Sequence, residues 1–290
     1  LVVLAGPEVI SQDTDTGINT FLDIIMNLRT KNPRTDGRPA IGQADSGIFL
    51  IDKPAGPSSF RIVQQIRRAL HMKKVGHAGT LDPFATGLLI VCAGRKATRT
   101  VPLLMEGEKE YEATLKLGIE TVTHDPEGET LAVRPVPEYS AAEITACLQT
   151  FHGVQLQTPP QYSAVKHNGK PLYYYARRGI TVAKEPRQVE ISAIDTLGRS
   201  RDELIIRVTC SKGTYIRVLA ADIGRTLGCG AHLKALRRVR SGPFTAAAGL
   251  PGNKLANPDE AHRLLVQYQL PVAAVKVLLE RENGSLTPNE

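Results

Sequence analysis

The 290-residue chain has no tryptophan, only 5% aromatic residues and three methionines, so each of its eight tyrosines is a candidate for a specific role. Its four cysteines, Cys92, Cys147, Cys210 and Cys229, lie far apart and form no CxxC pair. That spacing argues against a thiolate metal site and a disulfide framework, and fits reduced thiols in a cytoplasmic protein. No stretch reaches the roughly 20 apolar residues of a membrane span. Leu1-Val2-Val3-Leu4-Ala5 lacks the basic flank and the length of a secretory signal. No GxxxxGKS/T loop occurs and no GxGxxG turn follows a strand, so nucleotide cofactors are not implied. The seven histidines include no HExxH, and there is no GxSxG elbow. Neither a cofactor nor a metal is expected.

What is present is positive charge. Lys and Arg number 36 against 29 Asp and Glu, a net charge of +7 with a pI near 9.3, on an otherwise ordinary globular composition. The basic residues cluster as Arg67-Arg68 with Lys73-Lys74, Arg95-Lys96 with Arg99, and Arg237-Arg238 with Arg240. One such cluster is usually a solvated face; three in a basic chain favour a phosphate-binding surface. RNA recognition adds aromatic rings that stack on exposed bases. Tyr111, Tyr162, Tyr173, Tyr174, Tyr175 and Tyr215 are the candidates, each also readable as a core tyrosine.

Residues 1–45 read as a poorly ordered extension, with one weakly amphipathic stretch, Phe21 to Leu28, and a polar tract from Thr30 to Asp45. Gly47 to Ile51 is expected to be a strand, followed by a turn through Pro54-Ala55-Gly56-Pro57. Ser58 or Ser59 then caps a helix in which Phe60, Val63, Ile66 and Leu70 recur at helical spacing. Leu88 to Ala93 is a buried strand or the start of a helix, which periodicity does not separate. Tyr111 to Leu117 and Leu204 to Cys210 alternate like half-buried strands, and Tyr215 to Leu227 reads as a helix. Strands and helices mix without a βαβ rhythm, which predicts an α+β fold.

Within this frame Asp82 stands out. Gly76-His77-Ala78-Gly79-Thr80-Leu81-Asp82-Pro83-Phe84-Ala85-Thr86-Gly87 places one carboxylate on a glycine-punctuated loop between two apolar segments. An Asp before Pro is by default a turn former; loops held by a rigid scaffold are also where chemistry is placed.

The stretch from about residue 46 to 247 resembles the TruB family of tRNA pseudouridine synthases, the bacterial-type enzymes that make pseudouridine-55. The blocks that carry the resemblance are Lys53-Pro54-Ala55-Gly56-Pro57-Ser58-Ser59, the Gly76 to Leu89 run, Lys109-Glu110-Tyr111 through Leu117-Gly118 with Thr121, Thr123, Asp125 and Gly128, Pro159 to Lys166, and Cys210-Ser211-Lys212-Gly213-Thr214-Tyr215-Ile216-Arg217 running on to Leu236-Arg237-Arg238. The resemblance implies a largely antiparallel mixed sheet flanked by helices, a catalytic domain over 46–249, and residues 250–290 as a short remnant of a C-terminal RNA-binding region. Weaker tRNA affinity than that of longer relatives is then expected.

It also implies a cofactor-free isomerisation of uridine-55 in the TΨC loop, with Asp82 as nucleophile, Tyr111 stacked on the target base and assisting proton removal from C5, and Arg217 holding Asp82 ionised. A neighbouring Arg lowers a carboxylate pKa and fixes its rotamer. Tyr215 and Leu236 match positions that line the uracil pocket, and His77 matches a histidine that organises the extruded loop. Lys53 and Asp125 match residues that build the site or orient RNA. Attack on the base, attack on the ribose and a glycal-like route all stay open. The expected partner is the TΨC arm of tRNA, bound by a monomer with no obligate protein partner. A tRNA-binding folding helper on the same scaffold and a guide-RNA-dependent synthase are the alternatives. Two positions depart from the pattern: Ser58 replaces the usual Thr, and Val122 replaces an Asp common between the two threonines.

Overall fold

The computed structural model describes residues 46–163 and 165–282, so the expectations for residues 1–45 lie outside the described residues. The first strand, β1 (Gly47–Lys53), is almost wholly buried because helices cover both faces of the sheet, which is why it reads as a continuous apolar run. It pairs antiparallel with β3 (Thr86–Ala93), which also carries the short β2 (Val75–Ala78). The ambiguous segment after Asp82 is therefore a strand. Its apolar side chains fill two layers: Leu89 and Val91 face one core, and Leu88, Ile90 and Cys92 face the other.

Between β1 and β2 runs α1 (Ser59–Ala69), and two short helices, α2 (Arg95–Thr98) and α3 (Val101–Glu106), follow β3. Then come β4 (Lys109–Leu117), the hairpin of β5 (Ile119–Thr121) and β6 (Thr130–Val133), α4 (Ala141–Gln149) and β7 (Gly153–Gln157). A second small hairpin, β8 (Lys166–His167) with β9 (Lys170–Pro171), leads into α5 (Leu172–Ala176). Two long strands, β10 (Arg187–Arg199) and β11 (Glu203–Cys210), precede α6 (Ile216–Thr226) and β12 (Ala231–Ser241). The described chain ends with β13 (Phe244–Thr245), β14 (Leu250–Pro251), α7 (Pro258–Tyr268) and α8 (Val272–Glu282).

The main sheet has ten strands in the order β14-β1-β3-β12-β4-β11-β10-β7, with β2 on β3 and β13 on β12. Its pairings are antiparallel except for β1 with β14 and β3 with β12. This is the expected mixed, largely antiparallel α+β architecture. Residues after 249 are built into it: β14 extends the sheet beside β1, and Ala261 and Leu265 of α7 join the core under α1. The alternation expected for Tyr111 to Leu117 holds, with Tyr111, Ala113, Leu115 and Leu117 buried.

The helix after Pro57 differs from expectation in one respect. Its buried stripe is Ser59, Ile62, Val63, Ile66 and Ala69, while Phe60 is 57% exposed. At 100° per residue Phe60 lies roughly a third of a turn from the middle of that stripe, so of the Phe60–Val63 pair only Val63 faces the core. Ser58 is the cap, its hydroxyl accepting from the Arg61 amide at 3.2 Å.

β3 and β12 meet closely at Gly87, which pairs with Arg238 and has φ +96°. A Cβ at Gly87 would stand 2.3 Å from the Arg238 carbonyl oxygen. Combining the left-handed backbone cost with overpacking, Gly87→Ala should lose about 2–4 kcal/mol of stability, measured by urea unfolding. A loss under about 0.5 kcal/mol would show that the two strands are free to separate there.

Candidate active site

The Asp82 loop joins β2 to β3, and main-chain contacts hold it at four points. Gly79 has φ +94°, and its missing side chain leaves room for Arg238, whose Nη1 would lie 3.2 Å from a Cβ there. Arg238 Nη2 donates to the Gly79 carbonyl at 3.1 Å. The Ser59 hydroxyl accepts from the Leu81 amide at 2.9 Å and donates to the Leu81 carbonyl at 2.8 Å. The Pro83 carbonyl accepts from the Gly56 amide at 2.8 Å and from Lys53 Nζ at 3.1 Å. The Asp82 carbonyl accepts from the Ala85 amide at 3.2 Å, closing the turn. With its backbone braced on both sides, the Asp82 side chain has little freedom to wander.

Arg217, in the first turn of α6, is the centre of the site. Its side chain is 6% exposed, against 34% for Asp82. Nε meets Asp82 Oδ2 at 2.9 Å, Nη1 meets Asp125 Oδ2 at 3.0 Å and the Thr123 carbonyl at 3.1 Å, and Nη2 donates to the Tyr162 carbonyl at 2.7 Å. A planar guanidinium with donors in fixed directions suits this four-way role. Asp125 is itself held, its Oδ1 accepting from the Thr123 hydroxyl at 2.5 Å and the Glu127 amide at 3.0 Å.

Burial raises the Asp82 carboxyl above its ordinary value; Arg217 opposes this, Asp125 adds to it and Lys53 opposes it again. The expected lowering by Arg217 is therefore present but is outweighed by desolvation. Lys53 is fully buried, and burial pushes it down to about 8, with Asp82 pulling the other way. Its three donors go to the carbonyls of Pro54, Pro57 and Pro83, so it stands behind the Asp82 loop rather than on the cleft wall.

In front of Asp82 opens a cleft of about 240 Å³, lined among others by Tyr111, Ser163, Tyr215, Arg217, Leu236 and Arg238. That volume falls below the roughly 300–1,000 Å³ of drug-sized sites and suits one small planar group. Tyr111, on β4, lies in the cleft with Arg238, and burial raises its phenol while the Arg238 charge opposes, so the hydroxyl is protonated at neutral pH. Arg238 is buried and also donates Nε to the Leu88 carbonyl at 2.7 Å. Tyr215 precedes α6, and Gln157 of β7 grips its backbone from both sides, accepting from the amide at 2.7 Å and donating to the carbonyl at 3.1 Å. His77, on β2, is half-buried and outside the residues lining the cleft. Burial and Arg238 lower its pKa, and its Nδ1 is a buried nitrogen without a hydrogen-bond partner.

The structure thus brings Asp82, Tyr111, Arg217, Tyr215 and Leu236 together, and sets Lys53 and His77 beside them. Ser59, Gln157 and the individual role of Arg238 were not visible in the sequence. Only Ser59 left a trace, as a second hydroxyl where one suffices for a cap. The basic clusters also need correcting. Arg237 pairs with Asp52 through both amino groups, at 3.0 and 2.9 Å, Arg238 is buried, and Arg240 meets Glu110. The third cluster is spent on partners within the protein.

The described helices are not long and apolar enough to cross a membrane. The four cysteines are buried and unpaired, and burial pushes the Cys92 thiol up to about 12 and Cys210 up to about 11.

A ten-stranded sheet with one carboxylate braced beneath an aromatic-walled cleft defines an RNA-modifying class once relatives are compared. The family model for the TruB family pseudouridylate synthase (N terminal domain) matches residues 67–216, and that for the tRNA pseudouridylate synthase B C-terminal domain matches 217–264. The chain is 54% identical over 240 residues to the tRNA pseudouridine synthase B of Desulfotalea psychrophila, covering 81% of this chain and 97% of that one. It is 45% identical over 226 residues to the Opitutus terrae protein of the same name, covering 77% and 93%. The crystal structure of a Cbf5-Nop10-Gar1 complex matches with a TM-score of 0.61 at 30% identity, covering 84% of this chain and 68% of that one. The chain belongs to the TruB family of pseudouridylate synthases.

A carboxyl raised in the folded state contributes stability at low pH that is lost as pH rises through its folded value. Urea unfolding of wild type and Asp82→Asn from pH 7 down to pH 4 should therefore show wild type gaining on the variant as pH falls. The opposite trend would mean that Arg217 outweighs burial at Asp82.

Proposed function

We propose that this protein isomerises uridine-55 in the TΨC loop of tRNA to pseudouridine, with Asp82 as the nucleophile. The observation that carries this is the 2.9 Å pairing of Arg217 Nε with Asp82 Oδ2 at a cleft walled by Tyr111, Tyr215 and Leu236. The reaction consumes nothing. The bond from uracil N1 to the sugar carbon breaks, the base turns, C5 bonds to the same carbon, and the C5 proton is lost as N1 gains one. An ionised carboxylate serves as nucleophile and stabilises positive charge building on the sugar.

The target uridine must leave its stack to reach the cleft, at a cost of a few kcal/mol. In this proposal Tyr111 stacks on the extruded base, Tyr215 and Leu236 close the pocket, and His77 orders the loop the base has left. Arg217, fixed by Asp125, keeps Asp82 in one rotamer, and Lys53 holds the loop from behind. Protonated Tyr111 suits stacking and hydrogen bonding better than taking the C5 proton as a phenolate.

The names of the two relatives support tRNA as substrate. The likeness to a Cbf5-containing complex raises the guide-RNA-dependent alternative, but 54% identity to a tRNA pseudouridine synthase B against 30% to that structure favours the tRNA enzyme. We assign the chemistry to residues 46–249 and place the protein in the cytoplasm as a monomer that needs no cofactor.

Tritium release from tRNA carrying 5-tritiated uridine tests the activity. Wild type should release close to one tritium per tRNA, from position 55, while Asp82→Asn releases at least a thousandfold more slowly with tRNA binding retained. Binding without release by wild type would leave a folding helper; release from other positions alone would remove the uridine-55 assignment.

A further inference from the structure

From Pro54 to Met105 the chain has 52 residues, eight of them Lys or Arg, and a single acidic residue, Asp82. This stretch builds α1, β2, β3 and α2. The fold brings two of its basic clusters together, at the end of the β2–β3 pair opposite the catalytic loop. The Gly94 amide donates to the Lys74 carbonyl at 2.7 Å, and Val75 pairs with Ala93, so Lys73-Lys74 enters β2 beside the point where Arg95-Lys96 leaves β3. Arg99 follows directly after α2. The side chains of Lys73, Lys74, Arg95, Lys96 and Arg99 are exposed, and none forms an ion pair or side-chain hydrogen bond among the described residues.

The contrast with other cations is informative. Arg207, Lys116, Lys234, Arg237 and Arg240 each have a carboxylate partner within 4 Å. Those pairs lie along the strands and connections of the main sheet. Single exposed cations elsewhere, such as Arg187, Arg201 and Arg263, also lack a carboxylate partner among the described residues; what sets this end of the β2–β3 pair apart is that five such cations gather on it. Exposed like charges left uncompensated on adjoining segments repel one another, which favours an arrangement that an external polyanion completes.

We propose that Lys73, Lys74, Arg95, Lys96 and Arg99 form a second contact for the substrate RNA, gripping the phosphate backbone of the stem that leads into the reacting loop. This rests on the proposed activity at Asp82. From Ala93 to Thr86, β3 rises about 23 Å at roughly 3.3 Å per residue, so the patch meets the RNA well away from the uridine. A contact at that range reads no base. It anchors the stem by charge and shape, as protein contacts to RNA helices generally do, while the cleft selects the uridine.

The test is the salt dependence of binding, with one tRNA transcript and one hairpin of the same loop on a shortened stem. Replacing all five residues by Gln should lower the slope of log Kd against log salt for the tRNA by about 4, since each phosphate contact contributes roughly 0.7–0.9. Kd at 0.15 M salt should rise at least tenfold, kcat at saturating tRNA should stay within twofold, and the short hairpin should bind as before. The paired variants Lys73→Gln with Lys74→Gln, and Arg95→Gln with Lys96→Gln, should each show about half the change and serve if the fivefold variant fails to fold. In wild type, bound tRNA should shield Lys73, Lys74 and Lys96 from an amine-reactive reagent while leaving Lys276 reactive. Arg201→Gln with Arg263→Gln, on other faces, should leave the slope unchanged. An unchanged slope in the patch variants, an equal loss on the short hairpin, or a fall in kcat alone would each overturn the proposal. Absence of tritium release by wild type would instead count against the activity, because the slope is read from binding.

Discussion

One guanidinium organises the cleft end of this molecule. Arg217 is buried, and it touches two carboxylates and two main-chain carbonyls that come from three separate segments. A cation taken out of water at this depth is tolerable only if its donors are met. Loss of one partner from such a buried pair costs about 3–5 kcal/mol, so Asp125, Thr123 and Tyr162 are held in place by the same demand that fixes Asp82. The carboxylate is thereby aimed without being fully neutralised. Burial lifts it and Arg217 restrains it.

The remainder of the site is placed mainly by backbone contacts. Ser59 grips Leu81, Lys53 and Gly56 grip Pro83, Arg238 grips Gly79, and Gln157 grips Tyr215. Such contacts engage the main chain of the held residue, and only at Gly79 do they require that it carry no side chain. The rigid frame beneath them is the row β1-β3-β12-β4-β11, in which β1 and β3 are buried on both faces.

This division explains what could be read from the sequence. The alternation in β4, the glycine-marked Asp82 loop and the apolar spacing of α6 are local patterns, and each appears where expected. The joining of Asp82 to Arg217 came from resemblance, since 135 positions separate them and no spacing rule links them. Lys53 entered through the resemblance, as a residue that builds the site or orients RNA; its burial is a property of the packed turn behind Asp82. Phe60 followed helical spacing, but its exposure depends on where the sheet edge lies. Gln157 left no signal, because gripping a backbone across the fold has no sequence signature. Arg237 and Arg240 read as free charge because their acidic partners, Asp52 and Glu110, are neighbours only through β12.

The parallel pairing of β3 with β12 also bears on how the chain is made. Gly87 meets Arg238, and the Thr86 hydroxyl donates to the Leu236 carbonyl across 150 positions. Contacts so distant in sequence form late, because a long loop must close first. During synthesis the chain leaves the ribosome from its N-terminal end. Asp82, its loop and the acid-free stretch around it are exposed well before the strand that braces them exists. Until residue 238 has emerged, the nascent chain presents a basic surface able to attract RNA but no assembled cleft to act on it. Catalytic competence is gated by the arrival of β12.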